Sequence, residues 1–237
     1  MTNELMILVT AAASIGFLHT LLGPDHYIPF IAMSKSGEWS MRKTTLVTVL
    51  CGIGHVLSSV LLGTVGITFG LAVSKLEVFE SFRGDIATWA LIAFGLVYFA
   101  WGMRRAYRNR PHTHIHHHGG GAEHVHTHVH AEEHLHLHKK KNSGIVTPWA
   151  LFIIFILGPC EPLIPMLMYP AARHSMLGLG LVAGVFSLVT ISTMLGIVLV
   201  SIYGINILPA KGLERYTHAI AGAIISFCGV SVLLFGL

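Results

Sequence analysis

Four apolar runs dominate this sequence, and each is long enough to cross a hydrocarbon layer as a helix. They are Thr44–Ala72, Ile86–Met103, Met176–Ile205 and Tyr216–Leu237, where a span needs about 20 helical residues. Inside lipid every backbone N–H and C=O must be satisfied by the protein itself, so helices are the natural reading. The charge content agrees, since 11% of the 237 residues are charged against about 25% in an average soluble domain. That is too few to clothe a water-facing surface. The chain is therefore read as an all-α integral membrane protein of six transmembrane helices. The spans are placed at about 4–34, 44–72, 86–104, 146–171, 176–205 and 215–237.

The first run is expected to stay as a helix rather than be cleaved as a leader. Glu4 is its only charge before Asp25, and it has neither a basic start nor a small-residue cleavage site. Loop charges then set the orientation. Twelve basic residues fall after spans one, three and five: Lys35, Arg42, Lys43, Arg104, Arg105, Arg108, Arg110, Lys139, Lys140, Lys141, Lys211 and Arg215. The other side holds Lys75, Arg83 and Arg173. The excess of Lys and Arg on cytoplasmic loops puts the twelve-charge side in the cytoplasm of a cell (inner) membrane, with both termini outside. The net charge of +4 is thus a loop property and does not argue for nucleic acid as a partner.

The chain divides into two halves around a polar segment. Residues 1–104 make a first three-helix repeat, 105–144 a cytoplasmic His-rich loop, and 145–237 a second three-helix repeat. The first helix carries Gly23-Pro24-Asp25-His26-Tyr27-Ile28-Pro29, and the fourth carries Gly158-Pro159-Cys160-Glu161-Pro162-Leu163-Ile164-Pro165. Both read as helices broken at Gly-Pro. Three spans per half make the halves inverted in topology, and broken helices meeting near mid-membrane mark a transporter's site.

Asp25, His26 and Glu161 lie inside otherwise apolar spans. An ionisable group at that depth faces a cavity or a partner, because its burial in lipid costs at least a few kcal/mol. His19 stands seven residues before His26, about two turns, and His55 sits mid-span in Gly52-Ile53-Gly54-His55. Imidazoles and carboxylates, with Cys160 as a softer donor, suit borderline divalent transition metals. The candidate ligands are His19, Asp25, His26, His55, Cys160 and Glu161. Plainer roles stand beside these: a packing histidine at His19, and at Asp25 a cap on the half-helix after the break. Cys51 and Cys228 read as packing residues.

The central loop has the plainest composition. His112, His114, His116, His117 and His118 precede three glycines. His124, His126, His128 and His130 follow, then His134, His136 and His138. Short His-rich tracts bind metal, and imidazole is mostly deprotonated near pH 7, where it can act as a ligand.

At this point the sequence resembles a known family. Gly16-Phe17-Leu18-His19-Thr20-Leu21-Leu22-Gly23-Pro24-Asp25-His26 is similar to the first-helix signature of the nickel/cobalt transporters, in the branch with urease-accessory membrane proteins and nickel/cobalt exporters. Gly54-His55, the Gly-Pro-Cys of the fourth span and the His-rich loop fit the same branch. The resemblance implies a polytopic permease for Ni²⁺ or Co²⁺, with His19, Asp25, His26 and His55 along the metal path. Zn²⁺ is a further candidate ion, and a second copy of the chain or a metallochaperone a candidate protein partner. A second family shares the Gly-Pro-Cys break: membrane proteins that pass reducing equivalents through a cysteine pair, one in each half. Here Asp25 stands in the place of the first-half cysteine.

The expectation is thus transport of a divalent transition metal, nickel or cobalt, by a chain with no reaction chemistry of its own. No Gly-x-x-x-x-Gly-Lys-Ser/Thr loop is present to drive it. Cytoplasmic histidines suit collection for export and equally buffering of incoming metal. The alternatives are a thiol-disulfide electron conductor and a metal sensor or chaperone that carries nothing across.

Overall fold

Proline sets the first boundary. Helix α1 (Asn3–Leu22) stops where Gly23-Pro24 follows, because proline has no N–H for the ladder and its ring crowds the preceding turn. A single 3-10 turn (Pro24–His26) leads into α2 (Ile28–Ser36), with Pro29 in its first turn, where a missing N–H leaves no intrahelical bond unmade. The pattern recurs later. Helix α5 (Val146–Leu157) ends at Gly158-Pro159, and α6 (Leu163–Ala172) resumes after the break. The computed structural model describes residues 3–108, 112–117, 123–128, 146–173, 175–207 and 214–236.

The remaining helices are long. They are α3 (Met41–Thr68), α4 (Val73–Arg108), α7 (Met176–Ile207) and α8 (Thr217–Phe235). Ser40 starts α3, its Oγ accepting from the Lys43 N–H at 3.3 Å, which satisfies one of the helix's unpaired first-turn amides. Among the described residues, five helices are long and apolar enough to span a membrane: α1, α3, α4, α7 and α8. The two halves of the expected fourth span, α5 and α6, are 12 and 10 residues long. Large apolar side chains face outward along the long helices, with Val97, Val200 and Phe227 at 70%, 73% and 73% exposure. Contiguous apolar surface on this scale needs lipid against it. The protein is an α-helical, multi-pass membrane protein.

Helix α4 differs from expectation. The charged stretch 73–85 reads as a loop before a span at 86–104, yet it is helical throughout. The reason is internal pairing: Glu80 and Arg83 lie three apart on one helix face and form an ion pair. Arg83 is therefore not a loop charge. The central segment also holds a short exception to the helical pattern. Strands β1 (His112–His117) and β2 (Glu123–His128) pair antiparallel, with His112 opposite His128 and His117 opposite Glu123.

Small residues let the helices approach. Gly95 of α4 meets Gly222 and Ser226 of α8, and Gly102 meets His218 and Ala219. A methyl added to Gly229 would stand 2.7 Å from Ile92 Cγ1. Such seams replace the hydrophobic drive that is absent between helices in lipid. Two apolar clusters fill the interior. One gathers Phe30, Met33, Cys51, Leu151, Phe155, Met194, Ile225 and Cys228. The other gathers Ala12, Val56, Cys160, Leu163, Leu167, Val182 and Phe186.

Candidate functional site

Three elements each contribute one histidine to a common point. His19 comes from the last turn of α1, His26 from the 3-10 turn and His55 from the middle of α3. The break brings the first two together: the chain bends back at Gly23, where an added Cβ would stand 2.6 Å from His26 Nδ1. Only glycine leaves that space. On the other side Gly158 lies against His55, with a built Cβ 3.2 Å from its Nδ1.

Hydrogen bonds orient two of the rings. His26 Nδ1 lies 3.2 Å from the Gly23 carbonyl and 3.1 Å from Asp25 Oδ1, so it carries the proton and donates. His55 Nδ1 likewise donates to the Phe155 carbonyl at 3.3 Å. Nε2 is then the lone-pair nitrogen of both rings, and in each it is buried with no partner, as is Nε2 of His19. Ring centroids stand 4.8 Å apart for His19 and His26, and 5.0 Å for His26 and His55. One ring nitrogen from each residue falls within 4.8 Å of the others. Backbone or carboxylate acceptors on Nδ1 with Nε2 left free is the arrangement that fixes ligating histidines elsewhere.

The cluster borders a cavity of about 610 Å³ that both breaks line. Gly23, Asp25 and His26 reach it from the first, and Gly158, Pro159 and Glu161 from the second, with Asp85 and Thr88 of α4 between. Asp25 orients His26 by its hydrogen bond, and Glu161 is exposed. Cys160 is fully buried among apolar side chains and does not line the cavity. The six expected ligands therefore separate into a histidine triad, two carboxylates at the cavity and a thiol behind it. His112, His114, His116, His117, His124, His126 and His128 lie on the two strands, while His118, His130, His134, His136 and His138 lie outside the described residues.

Sequence reasoning missed Glu80 and Arg83. Glu80 is fully buried, and its Oε2 accepts from Ser59 Oγ at 3.3 Å and from the Cys160 N–H at 3.2 Å. Arg83 donates to the carbonyls of Ile156 at 2.9 Å and Gly158 at 3.2 Å, and to Ser58 Oγ at 2.8 Å. Their signal was the three-residue spacing of opposite charges just ahead of an apolar run.

Fold and site together define a polytopic helical membrane protein in which two broken helices meet at one cavity, where histidines and carboxylates stand in a largely apolar lining. Residues 28–237 match the family described as cytochrome c biogenesis protein transmembrane region, and the chain belongs to that family. Among curated proteins and solved structures, none matches it. The family corrects the resemblance to nickel/cobalt transporters and, with it, the expectation that the chain transports nickel or cobalt. The first-helix signature at residues 16–26 precedes the matched segment, while Gly54-His55, the Gly-Pro-Cys break and the His-rich loop lie within it. The Gly-Pro-Cys break at 158–160 is common to both kinds of protein, so it could not separate them.

Proposed function

We propose that the chain conducts reducing equivalents across the membrane by thiol-disulfide exchange, with Cys160 as its exchanging thiol. The family match over residues 28–237 carries this reading. Cys160 is free, as are Cys51 and Cys228. Only Cys160 stands at a helix break, while the other two are mid-helix in the opposite apolar cluster. In this scheme the Cys160 thiolate attacks an acceptor disulfide, forming a mixed disulfide and freeing one acceptor thiol. A donor dithiol then attacks Cys160 sulfur, releasing the second acceptor thiol. The donor's remaining thiol closes its own disulfide and returns Cys160 as a thiol. Two electrons and two protons pass from donor to acceptor. The breaks at Gly23-Pro24 and Gly158-Pro159 supply the bending that opens a buried thiol to each face in turn. In this reading α1–α2 and α5–α6 each make one broken crossing. Two inverted three-helix halves then form six spans, with the basic central segment in the cytoplasm.

Proteoliposomes test the scheme, with a reduced dithiol protein outside and a disulfide-linked fluorophore trapped inside. Wild type reduces the trapped disulfide and Cys160→Ser does not. Transfer at the wild-type rate by a cysteine-free protein would sink the reading.

The histidine triad favours a second role. His19, His26 and His55 suit a resident divalent transition metal such as zinc, nickel or cobalt, with Asp25 orienting His26. Three buried Nε2 atoms without partners are costly unless something completes them. The ion in this reading is held as in a sensor or chaperone. Metal titration of purified protein tests it, and His26→Ala should remove the tightest site.

A further inference from the structure

A broken helix leaves carbonyls at the end of its first half and amides at the start of its second. The first leaves a partial negative charge, the second a partial positive one. At the first break the chain satisfies these groups locally. His26 Nδ1 bonds the Gly23 carbonyl, and the Tyr27 hydroxyl donates to the Leu21 carbonyl at 3.3 Å. At the second break the backbone closes itself only in part, with the Gly158 N–H on the Ile154 carbonyl and the Leu163 N–H on the Cys160 carbonyl, each at 3.0 Å. One turn of α4 supplies both charges instead, in the matching order. The Arg83 guanidinium sits on the Ile156 and Gly158 carbonyls that close α5. The Glu80 carboxylate takes the Cys160 N–H ahead of α6. Gly84, next in sequence, makes room for Pro159, whose Cγ would stand 2.8 Å from an added Cβ. The pair is itself closed, with Arg83 Nη1 on Glu80 Oε1, and it lies deep, at 11% and 1% side-chain exposure.

We infer that Glu80 and Arg83 are positioning residues, a clamp on the second break that keeps the Cys160 segment shut against α4 and sets how readily its thiol is reached. The inference takes the importance of that thiol from the redox reading above. The clamp itself rests on geometry alone. Three charge-assisted bonds to backbone groups span residues 156–160 and cross the hinge, so the break cannot open without parting the ion pair from them. A clamp of this kind separates a closed, thiol-buried form from an open one. Glu80 and Arg83 touch no reacting atom in this role.

The three native cysteines provide the readout. Membranes holding wild type, Glu80→Gln, Arg83→Gln and Arg83→Lys are treated with N-ethylmaleimide, and each thiol's labelling rate is followed by peptide mass spectrometry. Loss of the clamp should speed labelling of Cys160 by about tenfold or more, the effect of one lost charge-assisted hydrogen bond. Cys51 and Cys228 keep their wild-type rates. Arg83→Lys keeps the charge without the planar fork, so its Cys160 rate falls between wild type and Arg83→Gln. If either Gln variant fails to accumulate, Arg83→Lys against wild type makes the same comparison. A Cys160 rate equal to wild type in the variants overturns the clamp. Equal acceleration of all three thiols overturns it too, because that is general loosening. Full transfer by Cys160→Ser would remove the redox role, while the labelling rates would still judge the clamp.

Discussion

His55 of α3 donates its Nδ1 hydrogen to the carbonyl of Phe155 in the last turn of α5, 3.3 Å away. The bond ties the second long helix to the broken one and fixes the histidine tautomer, so Nε2 carries the lone pair beside His26. A carbonyl near the end of a short helix has a free lone pair to offer. The break thus builds part of the site by leaving an acceptor behind.

Removing that imidazole should weaken metal binding sharply. In a variant whose loop histidines between 112 and 138 are replaced, His55→Ala is expected to lower Zn²⁺ affinity by about a hundredfold. Outer partners of ligating histidines alone are worth about 10–100-fold. Competition titration against a chromogenic chelator measures it. Equal affinity in the two proteins would dissolve the triad as a site.

Gly23→Ala probes the same cluster from the other side. The new methyl would stand 2.6 Å from His26 Nδ1 and 2.9 Å from Asp25 Oδ1, so the ring must leave its acceptors. Metal affinity is expected to fall at least tenfold, since the lost second-shell bond orients the ligand. Thermal unfolding in detergent should show a loss of about 1–3 kcal/mol, as local overpacking does. An unchanged affinity would mean that His26 does not need this placement.

How much of this was legible in the sequence depends on the kind of signal. The Gly-Pro breaks were plain, because a proline inside an apolar run removes a ladder N–H and crowds the preceding turn, and the structure breaks α1 and α5 at Gly23 and Gly158. The seven-residue spacing of His19 and His26 pointed to one neighbourhood, but the turn between them brings the rings within 4.8 Å, which no helical repeat predicts. Glu80 and Arg83 were hidden because polarity reads as loop. Their burial depends on where α5 breaks, a tertiary fact. Cys160 looked like a ligand beside Glu161, yet its N–H bonds Glu80 of α4 at 3.2 Å and its own side chain stays off the cavity that Pro159 and Glu161 line. The first-helix histidine motif resembles one family and the Gly-Pro-Cys break fits both, so it is the match over residues 28–237 that separates them.

The α4–α8 seam should tolerate no bulk. A Cβ on Gly222 would overlap the backbone of Phe99, and one on Gly95 would overlap Ser226. Gly222→Val is expected to cost about 3 kcal/mol or more, beyond the usual penalty for overpacking, because backbone rather than a side chain must move. The measure is the unfolding midpoint in detergent. A midpoint within about a degree of wild type would mean the helices are not this close.

The buried ion pair gives a stability order that a simple sum of contacts would not. Glu80→Ala leaves the Arg83 guanidinium at 11% exposure without its anion, and the Cys160 N–H keeps only the Ser59 hydroxyl at 3.2 Å. Stranding one partner of such a pair costs about 3–5 kcal/mol. Replacing both residues by methionine removes the stranded charge and restores apolar packing, which in other buried pairs is close to neutral. Here the double variant must still lose stability, because the Ile156 and Gly158 carbonyls and the Cys160 amide lose the charges that hold them. The expected order of unfolding midpoints in detergent is wild type, then Glu80→Met with Arg83→Met, then Glu80→Ala. A double variant as stable as wild type would mean the break satisfies its backbone without α4. A Glu80→Ala protein above the double variant would mean that Arg83 finds water or another anion once Glu80 is gone.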